Sequence, residues 1–550
     1  MPRASATPST ASSTPRASDQ LIDRLAIAVL ILVAVIAALT FRHYGLGWDD
    51  YTHAEYGDLL VELYASGFRD TRALSWVNLY MYGGGFDLAA ALLAKVVPFT
   101  LFETRRLMGA VVGILGLFIT WRLGRRLGGP LAGLLALVLL ATCPLYYGHM
   151  FMNPKDIPFA VAMALLLLGL TRAFEEYPTP SAATGLLFGV GLGLTLGTRI
   201  MGGMSALYAL AAFALILTGE ARAQGLRRAT ARAGGFIFTL IPGLIIAYAV
   251  MAVVWPWSVT APLNPFRAAG YFSNFFEKPW KEMFGGAVLS VPDMPRSYVP
   301  TLFALQLPEI LLALASAGAV GALVAVVRPA IELRRRAVLL MLLMAALFPI
   351  ALTVATRPAM YNGVRHFVFV LPPLAVLGGL AGCFVIERLG AWFRPLGVAA
   401  AMLLVAAVAP PVIEMVRLHP YQYTHFNALA GGVRGADDRY MLDYWGLAFK
   451  QASQDLRAKL AERHEAPAAG SRWRVVVCGP ERIAQVELGP EFQVGWDAKG
   501  ADFVMMSGEF YCAQLKVPVL VQVEREGVVF ARVYDVRGRS VTNLLTIPPP

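Results

Sequence analysis

The chain has 550 residues, is 57% hydrophobic, has a mean hydropathy of +0.59 and carries a formal net charge of +11. Long apolar runs separated by short basic loops exclude an ordinary soluble domain and indicate a polytopic membrane protein. The surplus charge sits in arginine clusters between those runs, not on a soluble basic domain, which argues against nucleic-acid binding.

Residues 1–20 are rich in Ser, Thr, Ala and Pro and read as a disordered cytoplasmic tail. The apolar run that follows has no small-residue cleavage site after it, so it reads as a retained signal-anchor helix. Segments long enough to cross a bilayer fall at 22–41, 107–123, 131–147, 157–174, 182–196, 204–218, 233–255, 302–327, 337–354, 366–386 and 395–416, about eleven spans. The run 86–98 is short, carries Asp87 and Lys95 and ends at Pro98, which suits a helix lying in the interface. With the N-terminus inside, the loops 122–126, 171–181, 219–232, 328–336 and 387–394 are cytoplasmic, and four of these five are arginine clusters. Arg105 and Arg106 go against that pattern, since the count leaves them outside.

The predicted architecture is an all-α membrane domain over 21–417, with long outer loops at 43–105 and 255–300. A small extracytoplasmic α/β domain follows over 418–550. Strands are expected at 473–478, 503–506, 517–523 and 528–534, and a helix at 443–463. Cys143 and Cys383 lie in predicted spans. Cys478 and Cys512 can pair if the tail is extracytoplasmic, with free buried thiols the alternative, and no zinc spacing is present.

The outer face holds the candidate chemistry. Trp48-Asp49-Asp50 follows the first span, and two adjacent acids at a membrane surface are costly to dehydrate. They are either catalytic or the N-cap of the amphipathic helix marked by Tyr56, Leu59, Leu60, Leu63 and Tyr64. The second outer loop crowds His149, Asn153, Lys155 and Asp156 together; Asp156 alone would serve as a helix cap. Arg199 ends one span and Arg365-His366 begins another on the same side. Singly these arginines read as interfacial anchors; with Lys155 they make a basic set suited to a phosphate or pyrophosphate head group. The loop 255–300 adds Trp255-Pro256-Trp257 and the run Tyr271-Phe272-Ser273-Asn274-Phe275-Phe276, suited to an aromatic belt or to stacking on sugar rings.

On Asp49-Asp50, Lys155-Asp156, the stretch from Gly193 to Gly202 around Arg199, and Arg365-His366, the chain resembles the GT-C superfamily of membrane glycosyltransferases. It is most similar to glycosyltransferase family 39, the protein mannosyltransferases and their aminoarabinose-transferase relatives, which generally have Asp-Glu at the first motif. The resemblance implies an inverting sugar transfer from a polyprenyl-phosphate donor to a lipid, glycan or protein acceptor on the outer face of a bacterial cytoplasmic membrane. In that reading Asp49 and Asp50 are catalytic, with Asp49 the general base. Lys155, Arg199, Arg365 and His366 hold the donor phosphate, and His53, Asn153 and Asp156 support them. A divalent cation, if one is used, falls to Asp49, Asp50 and Asp156. The segments from His419 to Asn427 and from Leu442 to Gly446 read as a subgroup feature. The competing readings are a secondary transporter of a lipid or small anionic solute, which places its ionisable groups near mid-bilayer, and a non-catalytic scaffold or sensor, in which the acids are only caps.

Overall fold

Helices account for most of the chain, and their order follows the apolar runs. The computed structural model describes residues 17–273, 280–541 and 543–546. Most of the expected N-terminal tail and Asn274, Phe275 and Phe276 of the aromatic run lie outside the described residues; the first helix begins at Ala17 rather than beyond residue 20. The membrane domain runs through α1 (Ala17–Thr40), α2 (Asp50–Ala65), α3 (Gly85–Leu93), α4 (Leu101–Ala141), α5 (Pro144–Met152), α6 (Asp156–Glu175), α7 (Ala182–Thr198), α8 (Met204–Gln224) and α9 (Leu226–Val254). It continues through α10 (Asn264–Ser273), a hairpin of β1 (Lys281–Phe284) and β2 (Ala287–Ser290), then α11 (Tyr298–Gln306), α12 (Glu309–Val327), α13 (Leu333–Thr356), α14 (Leu371–Trp392) and α15 (Arg394–Leu418).

Among the described residues nine helices are long and apolar enough to cross a membrane. The 41-residue α4 bends at Gly128 and at Gly129, whose φ of +79° only glycine adopts readily, and Pro130 restarts the helix, so it covers two predicted crossings. The 17-residue α7 covers another. Its glycines bring it close to α9: a Cβ on Gly193 would lie 2.5 Å from the Ala247 carbonyl, and one on Gly189 2.4 Å from that of Gly243. Two predicted crossings prove discontinuous. The run 302–327 breaks at Leu307-Pro308 between α11 and α12, and 131–147 breaks before Pro144, because proline cannot donate to a continuing helix. The run 86–98 holds only the nine residues of α3.

The arginine-rich loops meet at one end. Arg125 pairs with Asp23 at 2.7 Å, Arg335 donates to the Leu127 carbonyl and Arg334 to that of Glu175, both at 2.9 Å. The opposite end carries the outer loops and the C-terminal sheet, in which α16 (Gly432–Ala436), α17 (Ala448–Glu462) and α18 (Glu481–Leu488) accompany β3 (Trp473–Cys478), β4 (Phe492–Gly495), β5 (Phe503–Ser507), β6 (Val519–Arg525) and β7 (Val528–Asp535). The strand order is β4-β3-β5-β7-β6, with β3 parallel to β4 and β5 and β7 antiparallel to its neighbours. Cys478 and Cys512 form a disulfide.

The tail is not a separate body. Residues 419–447 are threaded into the membrane domain. Asn427 donates its side-chain amide to the carbonyls of Ala304 and Leu307 at 2.7 and 2.8 Å, satisfying groups that the break after α11 orphans. The Tyr44 ring stacks on Phe151 at 3.9 Å and its hydroxyl donates to Gln422 at 3.0 Å. Asp443 accepts the amides of Gly446, Leu447 and Ala448 at 3.0–3.1 Å and the Tyr423 hydroxyl, and so caps α17.

Three buried acids support this junction. Burial raises Asp443 to about 6, Glu282 to about 7 and Glu509 to about 8. At these three groups the folded chain therefore holds protons that the unfolded chain releases near pH 4, so the stability they contribute declines as pH rises from about 4.5 to 8. In melts recorded across that window, Glu509→Gln keeps the acceptor for the Leu442 amide, flattens the decline and raises the midpoint at pH 8.

Candidate active site

The site is built from charges fixed at the ends of spans. Two consecutive arginines of α4 hold the first outer loop in place. Arg106 binds the Asp50 carboxylate at 2.9 Å and the Gly45 carbonyl at 2.7 Å. Asp50 also accepts the Gly47 amide at 2.7 Å. Arg105 binds Asp87 at 2.6 Å, and Asp87 in turn holds His53 Nδ1 at 2.7 Å. All of these side chains are buried. Arg105 and Arg106, which looked like topology charges on the wrong side, are partners of buried carboxylates.

This arrangement separates the two adjacent aspartates. Asp50 is held by Arg106 and the Gly47 amide and is not among the residues that line the cavity. Asp49 occupies the cap position of α2, but its side chain makes no capping hydrogen bond. Its carboxylate is 39% exposed and 3.9 Å from Arg365. Burial alone would raise its pKa, but Lys155, Arg365 and His53 hold it below the usual carboxylate range, so it is ionised at neutral pH.

The second outer loop turns on Asn153. Its side-chain carbonyl accepts the amides of Lys155 and Asp156 at 3.1 and 2.8 Å, so Asn153, not Asp156, starts α6. Its amide donates to Asp156 at 2.6 Å and to His149 Nδ1 at 3.2 Å, leaving His149 Nε2 facing the Tyr444 hydroxyl at 3.1 Å. Asp156 pairs with Arg199. It therefore orients a cation and does not line the cavity.

A cavity of about 950 Å³ collects Asp49, His53, Lys155, Arg199, Arg365 and His366. Of the expected site residues, Asp50, Asn153 and Asp156 stand behind this wall. Asp49, Asp50 and Asp156 do not converge: among the described residues no three His, Cys, Asp or Glu side chains are grouped to hold a metal ion. Aromatic rings that sequence reading did not assign to the site hold its cations. Lys155 lies 4.7 Å and Arg199 5.5 Å from the Tyr82 ring, and Arg365 lies 5.0 Å from Tyr361 and 4.6 Å from Trp445. A ring face holds a cation without neutralising it. Among the described residues Asp49 is the one carboxylate that lines the cavity beside Lys155, Arg199 and Arg365, so the described wall is suited to an anion carrying more than one negative charge. The Nε atoms of Arg199 and Arg365 and the Nδ1 of His366 are buried and have no hydrogen-bond partner among the described residues.

Trp445 comes from the C-terminal segment and lies against the first loop. A Cβ at Gly47 would fall 1.4 Å from its ring, and the Trp48 amide donates to the Trp445 carbonyl at 3.2 Å. The segment from Leu442 to Gly446, whose role the sequence left open, thus supplies part of the cavity wall.

Comparison with known proteins follows the same lines. Residues 85–257 match the family of dolichyl-phosphate-mannose-protein mannosyltransferases. No curated protein matches the chain. Among solved structures, ArnT from Cupriavidus metallidurans in the apo state aligns over 94% of this chain and 98% of that one, at 16% identity and a TM-score of 0.46. The oligosaccharyltransferase AglB from Archaeoglobus fulgidus, in complex with an inhibitory peptide and a dolichol-phosphate, aligns over 89% of this chain and 70% of that one, at 12% identity and a TM-score of 0.50. The chain resembles the GT-C glycosyltransferases, and its membrane domain with a small C-terminal sheet domain is of that fold.

Removing Asp87 strands the Arg105 charge in the protein interior. Asp87→Ala is expected to cost about 3–5 kcal/mol of stability. Thermal melts of the purified protein measure it, and Asp87→Leu combined with Arg105→Met recovers most of the loss.

Proposed function

We propose that this protein transfers a sugar from a polyprenyl-phosphate donor to an acceptor on the outer face of a bacterial cytoplasmic membrane, with Asp49 as general base. The observation that carries this reading is a carboxylate that heads a helix without capping it, set in a cavity whose surplus charge is cationic. The dolichol-phosphate named with AglB supports the donor class. The placement is supported by the arginine-rich loops gathered at the opposite end and by the Cys478–Cys512 disulfide, which suits an oxidising compartment.

In this mechanism the acceptor oxygen attacks the anomeric carbon from the side opposite the phosphate, and the configuration inverts. Asp49 takes the acceptor proton as the new C–O bond forms. The bond from the anomeric carbon to the phosphate oxygen breaks, and its electron pair leaves with the lipid phosphate. Lys155, Arg199 and Arg365 are placed to stabilise the charge that develops on that oxygen, where fixed cations act most strongly. Their positions are set by Asp156 and the aromatic faces, so little reorganisation accompanies the step. A transporter would carry its ionisable groups within the spans; here they sit at the span ends.

Incubation of the protein in nanodiscs with labelled polyprenyl-phosphate sugars tests the assignment by release of lipid phosphate. Asp49→Asn is expected to lower that rate by about 10²–10⁴-fold while polyprenyl phosphate still binds; full activity in this variant removes Asp49 as the base. Because Lys155 is the strongest attraction holding Asp49 ionised, Lys155→Met moves the acid limb of the kcat profile to higher pH.

A further inference from the structure

A second cavity, of about 1360 Å³, lies between the outer loops and the sheet domain. It meets the first at Trp48, Trp280, Asn362 and Tyr444, which line both. Asp49, which lines the first cavity, follows Trp48 in the chain, so the carboxylate lies one residue from the border of the two. A nucleophile and a leaving group need separate places, and two adjoining cavities offer them.

The composition of this wall is specific. Trp48, Trp280 and Trp496 all line it, and they are 47%, 45% and 69% exposed. Trp496 belongs to the sheet domain, beyond β4, so it is not part of a belt on a spanning helix. Among these indoles stand Asp497, Asp502 and Asn543, with Lys281, Lys499, Arg537 and Arg539 on the same wall. A pyranose ring has apolar C–H faces and a rim of hydroxyls. Flat amphipathic rings interleaved with amide, carboxylate, ammonium and guanidinium groups, all of which hydrogen-bond hydroxyls, match both surfaces at once. A peptide bound as an added strand needs a length of free sheet edge, yet no described residue of β4 or β6, the edges of the five-stranded sheet, lines the cavity, and the hairpin contributes only Lys281 at the start of β1.

We infer that the second cavity is the acceptor subsite and that the acceptor presents pyranose rings to Trp496, Trp48 and Trp280. This rests on the transferase reading for the word acceptor, but the ligand class stands on the cavity alone. Saturation-transfer NMR on the full chain in lipid nanodiscs, free of sugar-based detergent, tests it with methyl pyranosides and a linear trisaccharide, and with acetylated pentapeptides as the rival class. Saturation is expected at the ring protons of the saccharides and falls about five- to tenfold in Trp496→Ala, the loss of one stacking contact. In transfer assays the same variant raises the acceptor KM by about tenfold and leaves the hydrolytic release of lipid phosphate unchanged.

Saturation of the peptides in place of the saccharides overturns the ligand class. Equal saccharide signals in wild type and Trp496→Ala overturn the location. Saccharide binding that depends on Trp496 in a protein that never turns over a donor supports the cavity assignment and removes the transferase reading.

Discussion

The buried pairing of Arg105 with Asp87 and of Arg106 with Asp50 is the constraint on which the outer face depends. Two neighbouring residues of one long helix reach two different short helices, so a single rigid element fixes the first loop in both position and rotation. Burying four charges is costly, and such pairs seldom add net stability over apolar packing. Their effect is geometric. Once Asp50 is turned into the protein against Arg106, its predecessor in the chain has to face the cavity.

The opposite wall solves a different problem. Cations gathered near one another repel, and the usual remedy, a carboxylate for each, would cancel the field the cavity needs. Arg199 takes that remedy closely, through Asp156, and Arg365 loosely, through Asp49 at 3.9 Å. Lys155 and Arg365 rest on the faces of Tyr82, Tyr361 and Trp445. Quadrupole attraction secures the side chain and leaves the monopole intact. Among the described residues Asp49 is the one carboxylate that lines the cavity, and its lowered pKa follows from the same imbalance.

Much of this was legible in the order of residues. Asp49, Lys155, Arg199 and Arg365 stand out because an ionisable group at the end of an apolar span is costly and therefore conspicuous. Other parts were hidden for definite reasons. Asp49 and Asp50 are equivalent in sequence, and successive helical residues point about 100° apart, so only the partner decides which one is inward. Arg106 lies 56 residues from Asp50, and no local pattern joins them. The break at Leu307-Pro308 vanished because hydropathy averaged across it stays high. The strand β4 is four residues long and ends in glycine, too short to show alternation. The run from His419 to Asn427 had no evident purpose, because its partners are carbonyls of a helix end more than a hundred residues earlier.

Trp445 lies beyond the last span, yet its ring covers Arg365. The order of synthesis therefore matters. When the final crossing helix has been made, the constellation of charges is still open on one side, and it closes only after the following stretch has folded back against it. A nascent chain arrested before that point would carry every charged group of the pocket and no finished pocket, so maturation of the site is timed by the arrival of the tail.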